Sequence, residues 1–372
     1  MSYEVLLKAK LNHSRLNSFL IEYEGRMAGL KSVRLSPLLV KLYCEKSGVS
    51  AVFRRAAGPG VSKASNIIAM NKLFTKQLWE SEGIPNNPYA SLSSKEFGKA
   101  LSFAKQYNWD VVLKPTGGYG GRHVYTDIRD EKELKQYWEM LVDSIKSIKK
   151  KQKNILIERK FDAEDYRFFV VGGKVVAVLN RVPANIVGDG IRTIDTLIKD
   201  KQAVRSNNPD LFSRPMKVDS IVEHNLAAMG YSFDTVPKSG EKVVLRNNAN
   251  LSTGGDSIDV TERVPEAVKS IVEKAVSSVP NLSCSAIDVL AKDLFDKYNL
   301  GKDNIVMNEI ESDPGMCIHH FPVHGQPRNV AAMIILDHFG ENVKSKISQR
   351  IKSYEYDFDM NSALSEEILS TI

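Results

Sequence analysis

The run Val111-Val112-Leu113-Lys114-Pro115-Thr116-Gly117-Gly118-Tyr119-Gly120-Gly121-Arg122-His123-Val124 decides how the rest of the chain is read. A short apolar strand delivers a lysine and then breaks into a glycine-rich loop. The lysine presents a compact positive charge, and glycines let backbone N–H groups approach an anion that a Cβ would hold away, so the stretch reads as a phosphate-handling device. No Lys-Ser/Thr pair follows the last glycine and the G-x-G-x-x-G spacing is absent, which excludes a P-loop and a dinucleotide fingerprint. Taken alone, the stretch is equally compatible with an ordinary glycine hairpin.

The surrounding 372 residues are 42% hydrophobic and 26% charged, the balance of a globular chain with room for two or three subdomains. No apolar stretch approaches the ~20 residues that span a bilayer, and MSYEVLLKAKLNHSR lacks the features of a signal peptide, so no membrane contact and a cytoplasmic location are expected. Cys44, Cys284 and Cys317 are widely spaced and are expected as reduced thiols without a zinc site. Residues 1–60 hold ten Lys/Arg against four Asp/Glu, which accounts for the whole net charge of +6. Without aromatic interleaving or a binding motif this reads as a solvated basic face, and a nucleic-acid partner is not expected.

Outward from the glycine loop, periodicity predicts one helix over 65–81 with Ile67, Ile68, Leu73, Phe74 and Leu78 near one face, ended by Gly83-Ile84-Pro85. Helices over 94–107 and 130–148 flank the strand to Lys114, and a strand over 154–158 follows. Arg54 to Gly60 has turn chemistry and reads as a linker. Beyond Glu158 the pattern becomes β-rich: 166–171, a Gly172-Gly173 turn, then 174–180, pairing antiparallel. Gly188-Asp189-Gly190 precedes a helix of about ten residues, and 203–214 reads as a mobile polar excursion. A strand over 243–246, a polar loop over 247–256, a helix over 265–278 and strands over 284–290 and 305–311 complete the pattern. The fold class expected is α+β, with a lead domain over 1–64, further parts over 65–172 and 173–345, and an acidic tail over 346–372.

Residues two apart on a strand share a face, so Glu309 and Glu311 converge, and with Asp288 of a neighbouring strand they form a hard oxygen-donor set suited to Mg²⁺ bridging nucleotide phosphates. Solvated strand carboxylates are the plainer alternative. Arg246 opens the loop Asn247-Asn248-Ala249-Asn250-Leu251-Ser252-Thr253-Gly254-Gly255, whose amides, hydroxyls and backbone N–H groups suit an oxyanion or phosphoryl group, or equally their own backbone. His319 and His320, on an extended chain, would point opposite ways and serve substrate contact or packing rather than a metal.

Several of these motifs fall in the order found in the ATP-grasp superfamily. The chain from about Ala69 to Phe339 resembles the ATP-grasp half of cyanophycin synthetases and the glutathione-synthetase-like domain of bifunctional glutathione-forming enzymes. The segments that carry the resemblance are Glu158-Arg159, Asp165 to Val171, Arg181-Val182-Pro183-Ala184 with Gly188-Asp189-Gly190, Leu245-Arg246 through Gly255, Ala286-Ile287-Asp288-Val289, and Pro314-Gly315-Met316 through Val330. The resemblance implies an ATP-grasp fold, two α+β subdomains clamping ATP. It implies phosphate lysines at Lys72 and Lys114, a flap over Gly117, Gly118, Gly120 and Gly121, an adenine hinge over Glu158, Arg159 and Phe161, and a ribose acid at Asp165. Metal ligands fall at Asp288, Glu309 and Glu311, with Glu311 where the family usually has Asn. Arg246, with Arg181 beside the phosphates, matches the position that steadies an acyl phosphate and its adduct. Substrate contacts fall at Asn250, Ser252, Thr253, Gly254, His320 and Arg328.

The implied activity is ATP-dependent joining of an amino-acid or peptide carboxylate to an amine through an acyl phosphate, with ATP and one or two Mg²⁺ as cofactors. The chain has no Mur-ligase-like ATPase and no glutamate–cysteine ligase half, so a free-standing ligase is expected, as a monomer or homo-oligomer. A hydroxyl kinase using the same nucleotide site, or an inactive nucleotide-binding regulator, would share most of these motifs.

Overall fold

The computed structural model describes residues 8, 10–117, 123–146, 154–352 and 354. Helix α1 (His13–Met27) is capped by the Asn12 side chain, which accepts from the Arg15 N–H at 3.1 Å, and it packs on an antiparallel meander of β1 (Lys31–Ser36), β2 (Leu39–Tyr43) and β3 (Ser50–Arg54). Where one helix over 65–81 is expected, there are two, α2 (Lys63–Ala69) and α3 (Lys72–Ser81). The interruption is local chemistry: Asn71 takes an extended conformation and caps α3 through the Leu73 N–H, while Lys72 N–H turns to the Thr116 carbonyl at 2.9 Å. The break also rotates the buried face, so Lys72, Thr75, Lys76 and Trp79 point inward while Ile67 and Phe74 are exposed.

Next comes a three-stranded sheet in the order β4 (Tyr89–Leu92), β6 (Ile155–Arg159), β5 (Val111–Pro115), covered by α4 (Phe97–Gln106) and α5 (Glu131–Lys146). Strands β7 (Glu164–Val171) and β8 (Lys174–Val182) form the expected hairpin, with Gly172 and Gly173 at φ of 57° and 76°, which their two-residue turn requires. Strand β9 (Asn185–Val187), α6 (Ile194–Arg205), α7 (Ser220–Ala228) and β10 (Lys242–Val244) make a small satellite with its own core. The chain then adds β11 (Asp256–Asp259), α8 (Glu266–Ser277), β12 (Cys284–Ala291), β13 (Ile305–Glu311), the short α9 (Cys317–His320), α10 (Val330–Phe339) and α11 (Lys344–Lys352).

The central sheet runs β11-β8-β7-β12-β13, antiparallel throughout. Alternation sorts its residues. Tyr166, Phe168, Val170, Ile287 and Val289 bury against α8 and Trp79, whose indole donates to the Ala275 carbonyl at 3.0 Å. Phe169, Val171, Cys284 and Ala286 bury on the other face against α1, α9, α10 and α11. The 1–60 segment therefore shares its core with the central sheet through Leu16, Leu20, Val40 and Phe53.

Two further expectations change. Residues 203–214 are held tightly, with Arg205, Asn208 and Asp210 fully buried, because ion pairs and hydrogen bonds satisfy a polar segment that periodicity alone cannot place. His319 and His320 sit on a helical turn rather than an extended chain, and both are buried. Arg54 and Arg55, in the expected linker, both pair with Asp313. The segment from 353 lies outside the described residues except for Tyr354.

Candidate ATP and carboxylate site

The face of the central sheet that carries Phe169, Val171 and Ala286 at one end carries charge at the other. On β7 the same alternation that buries Phe169 places Arg167 and Asp165 on that side; on β12 it places Asp288, and on β13 Glu309 and Glu311. Register completes the assembly, since Asp165 stands opposite Arg181, and Asp288 opposite both Arg167 and Glu309. Arg167 donates to Asp288 at 2.8 and 3.0 Å and to Glu311 at 3.0 Å. Arg181 reaches Asp165 at 2.6 Å and Asp288 at 2.8 Å. Four carboxylates thus face two guanidiniums, with Lys72 on Glu309 at 2.7 Å as the third cation.

The electrostatics follow from burial and partners. Burial opposes charge on Asp288, yet the Arg167 and Arg181 guanidiniums hold its carboxyl down to about 2. For Asp165 burial wins and the carboxyl is raised, with the Asp288 charge acting in the same direction against the pull of Arg181.

A second buried charge group lies beside the glycine loop. Lys114 Nζ is 2.9 Å from Glu158 Oε2 and 3.3 Å from Asn308 Oδ1, while Lys76 Nζ is 3.3 Å from Glu158 Oε1. Burial would raise the Glu158 carboxyl, but Lys114 and Lys76 together lower it; burial lowers the Lys76 ammonium, and Glu158 offsets only part of that. Through Glu309 and Asn308, β13 touches both Lys72 and Lys114, so these two lysines and the acidic strand form one continuous site. Gly117 pairs with Asn71 at the loop's start; Gly118, Gly120 and Gly121 lie outside the described residues.

Other expected site residues are arranged differently. Arg246 is buried, pairs with Asp219 at 2.5 Å and donates to the Lys217 carbonyl at 3.2 Å, without a direct contact to the carboxylates. Asn250, Ser252, Thr253 and Gly254 form a 3₁₀ turn closed by Gly254 at φ 116°, and Arg205 holds it from below through the Gly255 and Leu251 carbonyls at 2.9 and 3.3 Å. Arg328 pairs with Asp259 at 2.8 Å and Glu262 at 2.6 Å. His320 Nε2 accepts from the Ala331 N–H at 3.1 Å, so Nδ1 carries the proton and faces the Tyr354 hydroxyl. Arg159 is exposed, and Phe161 lies under Lys292 with its ring 5.4 Å from the ammonium. Two residues of the charge network were not singled out from sequence: Lys76 and Arg167. Both had a signal, four residues beyond Lys72 on one helix and two beyond Asp165 on one strand.

Residues 71–203 match the family model described as prokaryotic glutathione synthetase, ATP-grasp domain. The glutathione biosynthesis bifunctional protein GshAB of Desulfotalea psychrophila is 30% identical over 295 residues, 78% of this chain and 37% of that protein. Cyanophycin synthetase of Geminocystis herdmanii is 32% identical over 282 residues, 75% of this chain and 31% of that protein. The chain therefore spans about a third of the length of these curated relatives. Among solved structures, a bifunctional glutathione synthetase from Pasteurella multocida superposes with a TM-score of 0.63 at 24% identity, covering 86% of this chain and 44% of that one. The chain thus has the ATP-grasp fold, and its residues 71–203 carry the match to an ATP-grasp domain.

Proposed function

We propose that the protein is an ATP-dependent carboxylate–amine ligase acting on amino acids or peptides, forming an amide and releasing ADP and phosphate. The observation that carries this reading is the contact of Lys72 and Lys114 with one acidic strand, through Glu309 and Asn308. Cations that neutralise phosphate and carboxylates that hold a hard cation then share one site, as phosphoryl transfer requires. The donor set fits Mg²⁺: Asp288, Glu309 and Glu311 offer oxygens, and four carboxylates against Lys72, Arg167 and Arg181 leave one negative charge in excess. When bound, the ion supplies charge neutralisation on the nucleotide phosphates.

The protein's own groups would do the rest. Lys72 and Lys114 hold the phosphates while the substrate carboxylate oxygen attacks the γ-phosphorus and ADP leaves. The incoming amine nitrogen then attacks the acyl carbon, phosphate departs, and the ammonium proton passes to solvent. Arg181 and Arg246 are assigned to the oxyanions that develop, and the 250–254 turn with His320 and Arg328 to substrate. Such chemistry suits a cytoplasmic protein with its three cysteines unpaired, as they are here.

The test is ADP release from MgATP against amino acids and dipeptides, singly and in pairs. ADP that forms only with a pair, with a product mass equal to their condensation, supports the ligase. ADP with one hydroxylated compound and a phosphorylated product replaces it with a kinase.

A further inference from the structure

Three donors of different chemistry meet at a point that the ligase reading does not use. His13 comes from the first turn of α1, Asp210 from the buried 203–214 segment, and Cys317 from the start of α9. His13 Nδ1 lies 2.7 Å from Asp210 Oδ1 and 3.1 Å from Cys317 Sγ, and Sγ lies 3.0 Å from the same Asp210 oxygen. Asp210 and Cys317 are fully buried, whereas a quarter of the His13 side chain is exposed and provides a way in.

The surroundings orient each donor. Asp210 turns its other oxygen, Oδ2, to the Arg214 guanidinium, leaving Oδ1 for the cluster. The Asn17 side chain donates to Cys317 Sγ at 3.2 Å, and its own oxygen accepts from the Met316 and Cys317 N–H groups at 2.6 and 3.0 Å, so α1 fixes the start of α9. Gly315 lets the imidazole approach, because a Cβ there would stand 2.5 Å from His13 Nε2. Outer partners of this kind fix the ligands of metal centres.

We infer that His13, Asp210 and Cys317 form a binding site for a divalent transition-metal ion of the Zn²⁺ class, separate from the carboxylates of the central sheet. One nitrogen, one oxygen and one sulfur match the borderline-soft preference of that class and differ from the all-oxygen set suited to Mg²⁺. Three protein ligands leave a fourth tetrahedral position for water or a substrate group. Ligand arms of ~2.0–2.3 Å make tetrahedral edges of roughly 3.4–3.6 Å, so the donors spread by about half an ångström on loading. The Cys317 thiol gives its proton to solvent; thiolate and carboxylate offset the ion's two charges, and the Arg214 guanidinium on Asp210 Oδ2 leaves the site with one positive charge.

The test is titration of the intact chain with Co²⁺ in excess Mg²⁺, which fills hard-oxygen sites. The expected result is one equivalent of Co²⁺ producing a thiolate-to-cobalt charge-transfer absorption and the ligand-field bands of a four-coordinate ion, all abolished by added Zn²⁺. Cys317→Ser removes the charge-transfer band, and Cys44→Ser leaves it unchanged. Gly315→Ala, which displaces the imidazole without removing a ligand, weakens Co²⁺ binding about 10–100-fold while circular dichroism shows the fold intact. A wild-type chain that gives no charge-transfer band, or a band that survives Cys317→Ser, overturns the site and leaves the cluster as a hydrogen-bonded triad. If Cys317→Ser does not fold, His13→Gln decides: an unweakened band overturns the site.

Discussion

Lys114 Nζ and Glu158 Oε2 lie 2.9 Å apart on neighbouring strands β5 and β6, both side chains almost wholly buried. The glutamate serves two lysines, since Lys76 approaches its other oxygen. The cluster holds one more positive charge than negative, which suits a site that receives an anion.

Removing the glutamate should therefore cost more than removing a lysine. Glu158→Gln leaves two buried ammonium groups without a counter-charge and is expected to lower stability by about 3–5 kcal/mol in urea unfolding at pH 7. Lys114→Ala leaves the Lys76–Glu158 pair in place, so it should be folded at 25 °C yet lose ATP-dependent ADP release. Equal stability of Glu158→Gln and wild type would count against the charge assignment.

Lys72 holds Glu309 at 2.7 Å and lies at the start of α3. Lys72→Ala removes the ammonium proposed for phosphate and frees a carboxylate at the proposed metal set. We expect KM for ATP to rise and kcat to fall by about 10²–10³, the scale of one lost charge-stabilising donor. Steady-state ADP release over a range of ATP and Mg²⁺ concentrations checks both.

Asp288 sets an acid limit on stability. Its carboxyl is held at about 2 against an unperturbed 3.8, burial being overcome by Arg167 and Arg181. A lowered acid contributes stability that is complete above the unfolded value and is lost as pH falls from about 4 to 2, here about 2 kcal/mol. Asp165, whose carboxyl is raised, contributes with the opposite sign. Urea midpoints measured over this window should show a flatter acid limb in Asp288→Asn than in wild type.

Among the described residues both ring nitrogens of His319 are buried without a hydrogen-bond partner, its ring stands edge-on to Phe169 at 5.3 Å, and burial lowers its basicity well below the usual range. A histidine kept neutral in the fold but able to charge when unfolded costs stability as pH falls below its unfolded value near 6.5. His319→Leu, of similar volume, should therefore stabilise the fold by about 1–3 kcal/mol at pH 7 and by more at pH 5. Thermal melts at the two pH values measure this; a lower melting temperature at both would show that the ring makes a favourable interaction.

Much of this architecture is legible in local pattern. Apolar runs and turn residues place the β7–β8 hairpin, and β13 runs over 305–311 as read from the sequence, because strand alternation and glycine turns are short-range properties. The same alternation puts Glu309 and Glu311 on one face. The break at Met70-Asn71 was legible only in part: 65–81 has a continuous helical period, the Asn71 cap is a local signal against it, and the Lys72 amide's bond to Thr116, forty-four residues away, is not written in the local sequence.

The sequence by itself determined the class of fold and most of its longer strands, because periodicity and turn residues are written along the chain. The tertiary structure alone decided who pairs with whom. Asp288 receives Arg167 and Arg181 through strand register, Lys76 joins Lys114 on Glu158 through helix packing, and the polar 203–214 segment becomes buried because His13, Asp256 and the Phe321 carbonyl supply its partners. A buried charge is stable only beside its counter-charge, and the partners that satisfy it here lie up to two hundred residues away, beyond the reach of any local pattern.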